Sequence, residues 1–152
     1  MKRIIWILSI ILISILLSGC ISRNLIDAEK FQRVMEDSGY EIVEATYQVD
    51  SDYLTKLLIT ITDGAYQFEF NEFISISSAQ RYFGAMQSFV ERGIGSSHVT
   101  RSLSGTNFSS YEMTTNGRYY HLLRVDNVLI SADGNEEYRD HIREMFRVLD
   151  EE

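Results

Sequence analysis

Apolar residues recur along this chain at two periods, and the switches between those periods lay out its elements. Ala28, Phe31, Val34 and Met35 fall on one face of a helix. Asp27 stands ahead of them as an N-cap and Gly39 follows at the left-handed stop, so the spacing predicts a helix ending at Ser38. A strand is predicted over Tyr40 to Gln48, with a turn at Asp50-Ser51-Asp52. The period then becomes two. Leu57, Ile59 and Ile61 alternate with Lys56, Leu58, Thr60 and Thr62, while Tyr66, Phe68 and Phe70 alternate with Gln67, Glu69 and Asn71. Asp63-Gly64 between them is a two-residue hairpin signal, which pairs Ile61 with Tyr66, Ile59 with Phe68 and Leu57 with Phe70 and puts both apolar sets on one face.

Ser77 and Gln80 match a capping box. Behind them Ala79, Tyr82, Phe83, Met86, Phe89 and Val90 lie at helical spacing before Gly93 and Gly95, which predicts a second helix over Ser78 to Arg92. Four strands are predicted at His98 to Leu103, Phe108 to Thr114, Arg118 to Val125 and Val128 to Ala132. Asn116-Gly117 is a strong hairpin turn and Asp126-Asn127 a weaker one. A third helix, capped by Asp133 or Asn135, presents Tyr138, Ile142, Met145 and Leu149 on its buried face. The order α-βββ-α-ββββ-α predicts an α+β fold, an antiparallel meander sheet with three helices against one face. The same order is also readable as two loosely repeated α-plus-meander halves.

The first residues follow neither period. Lys2 and Arg3 precede an apolar run from Ile4 to Leu17 broken only by Ser9 and Ser14, a secretion-signal pattern. Spanning a bilayer takes roughly 20 consecutive apolar residues, and this run stops short, which argues against its alternative reading as an uncleaved anchor. Leu17-Ser18-Gly19-Cys20 closes it and resembles the lipobox of bacterial lipoproteins. That resemblance implies cleavage between Gly19 and Cys20 and a diacylglycerol, carrying chains such as palmitate, on the Cys20 thiol. Residues 1–19 are then a signal peptide, 20–26 a lipidated N-terminus with a short tether, and 27–152 a single domain close to the extracytoplasmic face of the cell membrane. Two acyl chains hold such a protein where one would be marginal.

Removing Lys2 and Arg3 with the leader takes the formal charge from −8 to −10. Such acidity disfavours nucleic acid and leaves anchoring to the lipid, not to charge. Cys20 is the one cysteine, so no disulfide is expected. The chain also lacks proline and with it any proline-rich recognition segment. Arg124-x-Asp126-Asn127, together with the short N-terminal helix, the Tyr/Phe-rich hairpin and the capped helix, resembles small lipoproteins of low-GC Gram-positive bacteria, a group with no settled activity to carry over. These three residues are readable as a turn-stabilising set or as part of a contact surface.

No cofactor or metal is expected. His98, His121 and His141 fall on different elements without ligand spacing, and Asp133-Gly134-Asn135-Glu136-Glu137 lacks the spaced oxygens of a calcium loop. Gly93-Ile94-Gly95 and Ser104-Gly105-Thr106 lack phosphate-loop spacing. No serine sits in a nucleophile motif, and the acids Glu41 and Glu44, or Glu69 and Glu72, have no spacing that implies catalysis. The aromatic residues are the remaining candidates, with Tyr66, Phe68, Tyr119 and Tyr120 named for a ligand groove. Three functions follow in order. The first is a non-catalytic interaction domain for a protein or envelope component; the second is a small-ligand-binding module with an aromatic-lined cavity. The third, a carboxylate-dependent hydrolase, asks for two acids converging in a cleft with a raised pKa. Replacing Cys20 by Ser is expected to move the protein from the membrane pellet to the soluble fraction and to abolish incorporation of radiolabelled palmitate; unchanged fractionation would remove the lipid anchor from consideration.

Overall fold

The computed structural model describes residues 21–48, 52–62, 64–93 and 98–151. The leader, Gly19, Cys20, most of the Asp50-Ser51-Asp52 turn and the Ile94-Gly95 segment lie outside them. Helix α1 spans Ala28–Asp37, with the Asp27 carboxylate accepting from Lys30 N and Gly39 at positive φ beyond it. Strands β1 (Glu41–Glu44), β2 (Leu54–Ile61) and β3 (Tyr66–Phe73) lead to α2 (Ile76–Arg92). Strands β4 (His98–Ser104), β5 (Phe108–Thr115), β6 (Arg118–Val125) and β7 (Val128–Asn135) lead to α3 (Arg139–Glu151). The order expected from sequence is therefore the observed one, an α+β fold on an antiparallel meander.

All seven strands join one sheet in the order β1-β2-β3-β7-β6-β5-β4. Each half is a meander, and the last strand, β7, returns to lie against β3. The helices do not share a face, as expected from sequence; they cover both. On one side α1 and α3 pack over Leu58, Phe68, Phe70, Tyr119, Leu123, Ile130 and Ala132. On the other, α2 packs over Phe73, Tyr111, Met113, Leu122 and Leu129. With apolar residues at both parities, the central strands have a buried side chain at nearly every position.

That two-sided burial explains the main register error. The β2–β3 pairs are Leu57 with Asn71, Leu58 with Phe70 and Ile59 with Glu69, one residue away from the pairing that a two-residue turn requires. The turn lies between Thr62 and Tyr66, where the Thr62 hydroxyl donates to the Tyr66 carbonyl and Gly64 adopts φ +90°. A slip of one residue reverses every side chain. Leu58 and Thr60 therefore face α1 and α3 with Phe68 and Phe70, whereas Ile61 is half exposed.

Smaller differences have local causes. Strand β1 ends at Glu44 and a 3-10 turn follows over Thr46–Gln48, because the Thr46 hydroxyl accepts from Leu57 N at 2.8 Å in place of a strand carbonyl. The cap of α2 is Ser75, which accepts from Ser78 N at 3.1 Å, so the helix starts before the Ser77 box. Strand β7 continues through Asp133, whose backbone pairs with Gln67 and Tyr120, so Asp133 is a strand residue and not a helix cap. Asn135 precedes the 3-10 turn Glu136–Tyr138 without a side-chain capping bond, and α3 then buries Ile142, Met145, Phe146 and Leu149.

The register has a direct stability consequence. Leu58→Ala is expected to cost roughly 2–5 kcal/mol and Ile61→Ala about 0.5 kcal/mol or less, read from urea midpoints. The reverse ranking would restore the two-residue turn.

Candidate functional site

Helix α2 covers its face of the sheet thinly. It contacts the strands through Ser78, Ala79, Phe83, Met86 and Val90, of which Ser78 and Ala79 are small. Between its first turns and β2–β3 a cleft of about 580 Å³ remains, walled by Tyr53, Leu54, Leu57, Phe73, Tyr82 and Ala85. Glu69, Asn71, Ser78 and Arg81 supply its polar groups. A smaller hollow of about 200 Å³ lies on the other side of Glu69 and reaches Phe89, Tyr120 and Asp133.

The polar floor is set by β3. Glu69 and Asn71 are two apart on a strand and so share the α2 face. Burial raises the Glu69 pKa above the usual carboxylate range; the Asp133 charge adds to the rise and the Asn71 amide offsets part of it. The Asn71 side-chain nitrogen is nonetheless buried without meeting hydrogen-bond geometry to any described atom. Its hydrogen-bonding capacity is spent on the neighbouring Glu69 carboxyl without good geometry, and a ligand acceptor placed there would be better aligned. Burial, then the nearby Glu69, raise the Tyr82 hydroxyl as well. Arg81 holds its guanidinium 5.8 Å from the Tyr53 ring centroid at the cleft rim. The site thus combines apolar walls with one carboxyl of raised pKa, one amide beside it and one cation at the rim.

A second polar cluster lies on the opposite face, where α3 meets β5 and β6. Arg143 donates to Glu112 Oε2 from Nε at 2.7 Å and from Nη2 at 2.6 Å, and the Tyr119 hydroxyl donates to the same oxygen at 2.9 Å. His121 Nδ1 is 3.5 Å from that hydroxyl, and its Nε2 is 3.4 Å from Ser110 Oγ. With the phenol proton given to Glu112, the consistent tautomer carries its proton on Nδ1 and accepts from Ser110. The ring stacks on Phe146 at 3.7 Å. Serine, histidine and carboxylate are chained here as in a nucleophile relay, but the adjoining hollow, about 90 Å³, reaches Glu112, Tyr119 and Arg143 and not Ser110 or His121. The arrangement fastens α3 to the sheet.

The four aromatic candidates do not line one groove. Phe68 and Tyr119 are buried in the α1/α3 core. Tyr66 is half-buried among Tyr40, Tyr138 and His141, whereas Tyr120 borders the small hollow on the α2 face. Tyr53, Leu54, Leu57 and Asn71 were not singled out from sequence; the signal was Gln67, Glu69 and Asn71 alternating through a strand whose neighbours bury both its faces. The hydrolase expectation finds a raised carboxyl in Glu69, but its neighbour Asp133 is engaged in an ion pair with Arg118. Among the described residues no three His, Cys, Asp or Glu converge in a metal-binding group.

Burial lowers the His121 pKa from an ordinary 6.5 to about 4, with Glu112 opposing the shift and Arg143 and Arg23 adding to it. The unfolded chain therefore takes up this proton at a pH where the folded chain does not. Stability is complete above about pH 6.5 and is lost as pH falls toward 4, by on the order of 3 kcal/mol across that window. Glu112 is also lowered, since hydrogen bonds from Arg143 and Tyr119 and the His121 charge outweigh its burial, and it withdraws stability at still lower pH. Glu69, being raised, acts in the opposite sense as pH rises through its titration. Melting temperature is expected to drop between pH 7 and 5, and His121→Gln to flatten that drop; an equal drop in the variant would assign the effect to the carboxylates.

No protein-family model matches the sequence, and no curated protein matches it significantly. Among solved structures, a crystal structure of a GTP binding regulator from Thermotoga maritima aligns over 82% of this chain and 88% of its own, with 15% identity and a TM-score of 0.49. A likeness at that level carries nothing about function from that protein to this one.

Proposed function

We propose that this chain is a membrane-anchored extracytoplasmic lipoprotein whose domain binds a small, mostly apolar ligand in the cleft between α2 and strands β2 and β3. The observation that supports ligand binding is the cleft of about 580 Å³ itself, with apolar walls and with Glu69 and Asn71 side by side on its floor. An aromatic or aliphatic body fits against Tyr53, Phe73 and Tyr82, and an acceptor on its head group takes the Asn71 proton. Pockets of this size, on the order of 300–1,000 Å³, suit molecules of a few hundred daltons. The lipid anchor rests on the Leu17-Ser18-Gly19-Cys20 resemblance; no described helix is long and apolar enough to cross a membrane.

A second reading, interaction with an envelope protein, is favoured by β4. This edge strand pairs with β5 alone and all seven of its residues are exposed. An open edge of that length accepts an added strand through its free backbone groups.

Native mass spectrometry of the mature protein from its host separates the two. A non-covalent excess of a few hundred daltons that disappears on denaturation is expected, reduced roughly tenfold in occupancy by Asn71→Leu or by Ala85→Trp, which fills the cleft. A bare mass, or an excess indifferent to both substitutions, would turn the assignment to the β4 edge.

A further inference from the structure

The segment that follows Cys20 is not a free spacer. Thr106 N donates to the Ile21 carbonyl at 2.9 Å, and Asn107 clasps Arg23 reciprocally, accepting from its N–H at 3.0 Å and donating to its carbonyl at 2.9 Å. Gly105 permits this approach: a Cβ there would stand 2.3 Å from the Ile21 carbonyl oxygen. The Arg23 guanidinium lies 4.7 Å from the Phe108 ring and 3.6 Å from Asp150, and Ile26 is buried in the α1/α3 core. The dock itself is braced. Arg124 donates to the carbonyls of Asn107 and Asp126, both at 3.1 Å, and Asn127 ties the next turn to the Phe73 carbonyl at 2.8 Å.

One end of the sheet is thereby tied together: the β4–β5 and β6–β7 turns, the β3–α2 junction and the chain end. At that end stand Ile21, Leu25, Ile74, Ile76 and Leu103, each between 47% and 61% exposed. Three carboxylates there have local partners, since Asp27 caps α1, Asp126 accepts from Asn107 and Asp150 faces Arg23, while Asp52, next to Tyr53, is exposed.

We infer that this end of the sheet is a bilayer contact, so that the domain stands on the membrane in one orientation with Ile74 and Ile76 in the lipid headgroup boundary. The inference rests on the lipid-anchor reading, because acylated Cys20 directly precedes the pinned Ile21. The contact is apolar, so it calls for neutral lipid and no anionic lipid. The cleft follows from it: Tyr53, Leu54 and Phe73 belong to the same end, which sets its mouth within reach of the bilayer.

The sole tryptophan, Trp6, lies in the leader, so the mature chain is free of tryptophan on this reading and accepts single reporters. Ile76→Trp and Ile74→Trp report on the proposed contact, and Phe89→Trp on an exposed site near the far end of the same helix, about 20 Å away. The mature acylated protein is reconstituted into phosphatidylcholine vesicles with and without bromine on the upper acyl chain. Quenching at positions 74 and 76 is expected to exceed that at 89 by about twofold or more, with blue-shifted emission. Two proximal reporters keep the result readable should one variant fold poorly. Flotation with the vesicles but equal quenching at all positions would overturn the orientation alone. Protein that neither floats nor carries the diacylglycerol mass would overturn the lipid-anchor reading and this inference with it.

Discussion

The pairing of β3 with β7 makes one structure of two meanders. Seven consecutive pairs, from Tyr66 with Gly134 to Glu72 with Val128, join the first three strands to the last four. Both strands become central, with a partner on each side and a helix over each face. The pairing is close enough that position 134 admits no side chain, since a Cβ there would come within 2.5 Å of Tyr66 Cβ. Its alternation also sorts the chemistry. Phe68 and Phe70 lie opposite Ala132 and Ile130 and join the α1/α3 core, while Glu69 and Asn71, opposite Ser131 and Leu129, are turned toward α2.

The two faces are consequently unequal. On the α1/α3 side aromatic rings meet densely: Phe31 with Phe70 at 5.3 Å, Phe68 with Phe146 at 6.2 Å and His121 with Phe146 at 3.7 Å. The Glu112, Tyr119 and Arg143 cluster adds charge-assisted hydrogen bonds, which fix where α3 lies. The α2 side has fewer large residues under its helix and keeps open volume beside them. Stability is concentrated on one face, and room for a guest on the other.

The turn end of the sheet depends on a buried cation with no hydrogen-bonded carboxylate. Arg124 is almost inaccessible, and burial lowers its pKa while the Asp126 charge opposes that shift. Its guanidinium is satisfied by two carbonyls and the Ser109 hydroxyl. Those carbonyls belong to the turns beside which Ile21 and Arg23 are held, so the Arg124-x-Asp126-Asn127 set is a turn clamp whose effect reaches residue 21.

Local pattern was enough for the element order, for the Asp27 cap and Gly39 stop, and for the Asn116-Gly117 turn, because each depends on a few neighbouring residues and their backbone preferences. It was not enough for the β2–β3 register. Leu57, Leu58, Ile59 and Ile61 are apolar at both parities, and alternation identifies an inner face only when one face is wet. The cleft was legible in fragments, as Glu69 and Tyr82, but not as a site: Tyr53, Asn71 and Ala85 meet only once α2 crosses the face that a one-sided arrangement of helices leaves to solvent. Sequence by itself determined which segments are helix and strand and their order. Only the tertiary structure decided which side chains face which helix, that β7 returns to β3, and that Ile21 and Arg23 dock on the β4–β5 turn, since all three depend on contacts between residues far apart in the chain.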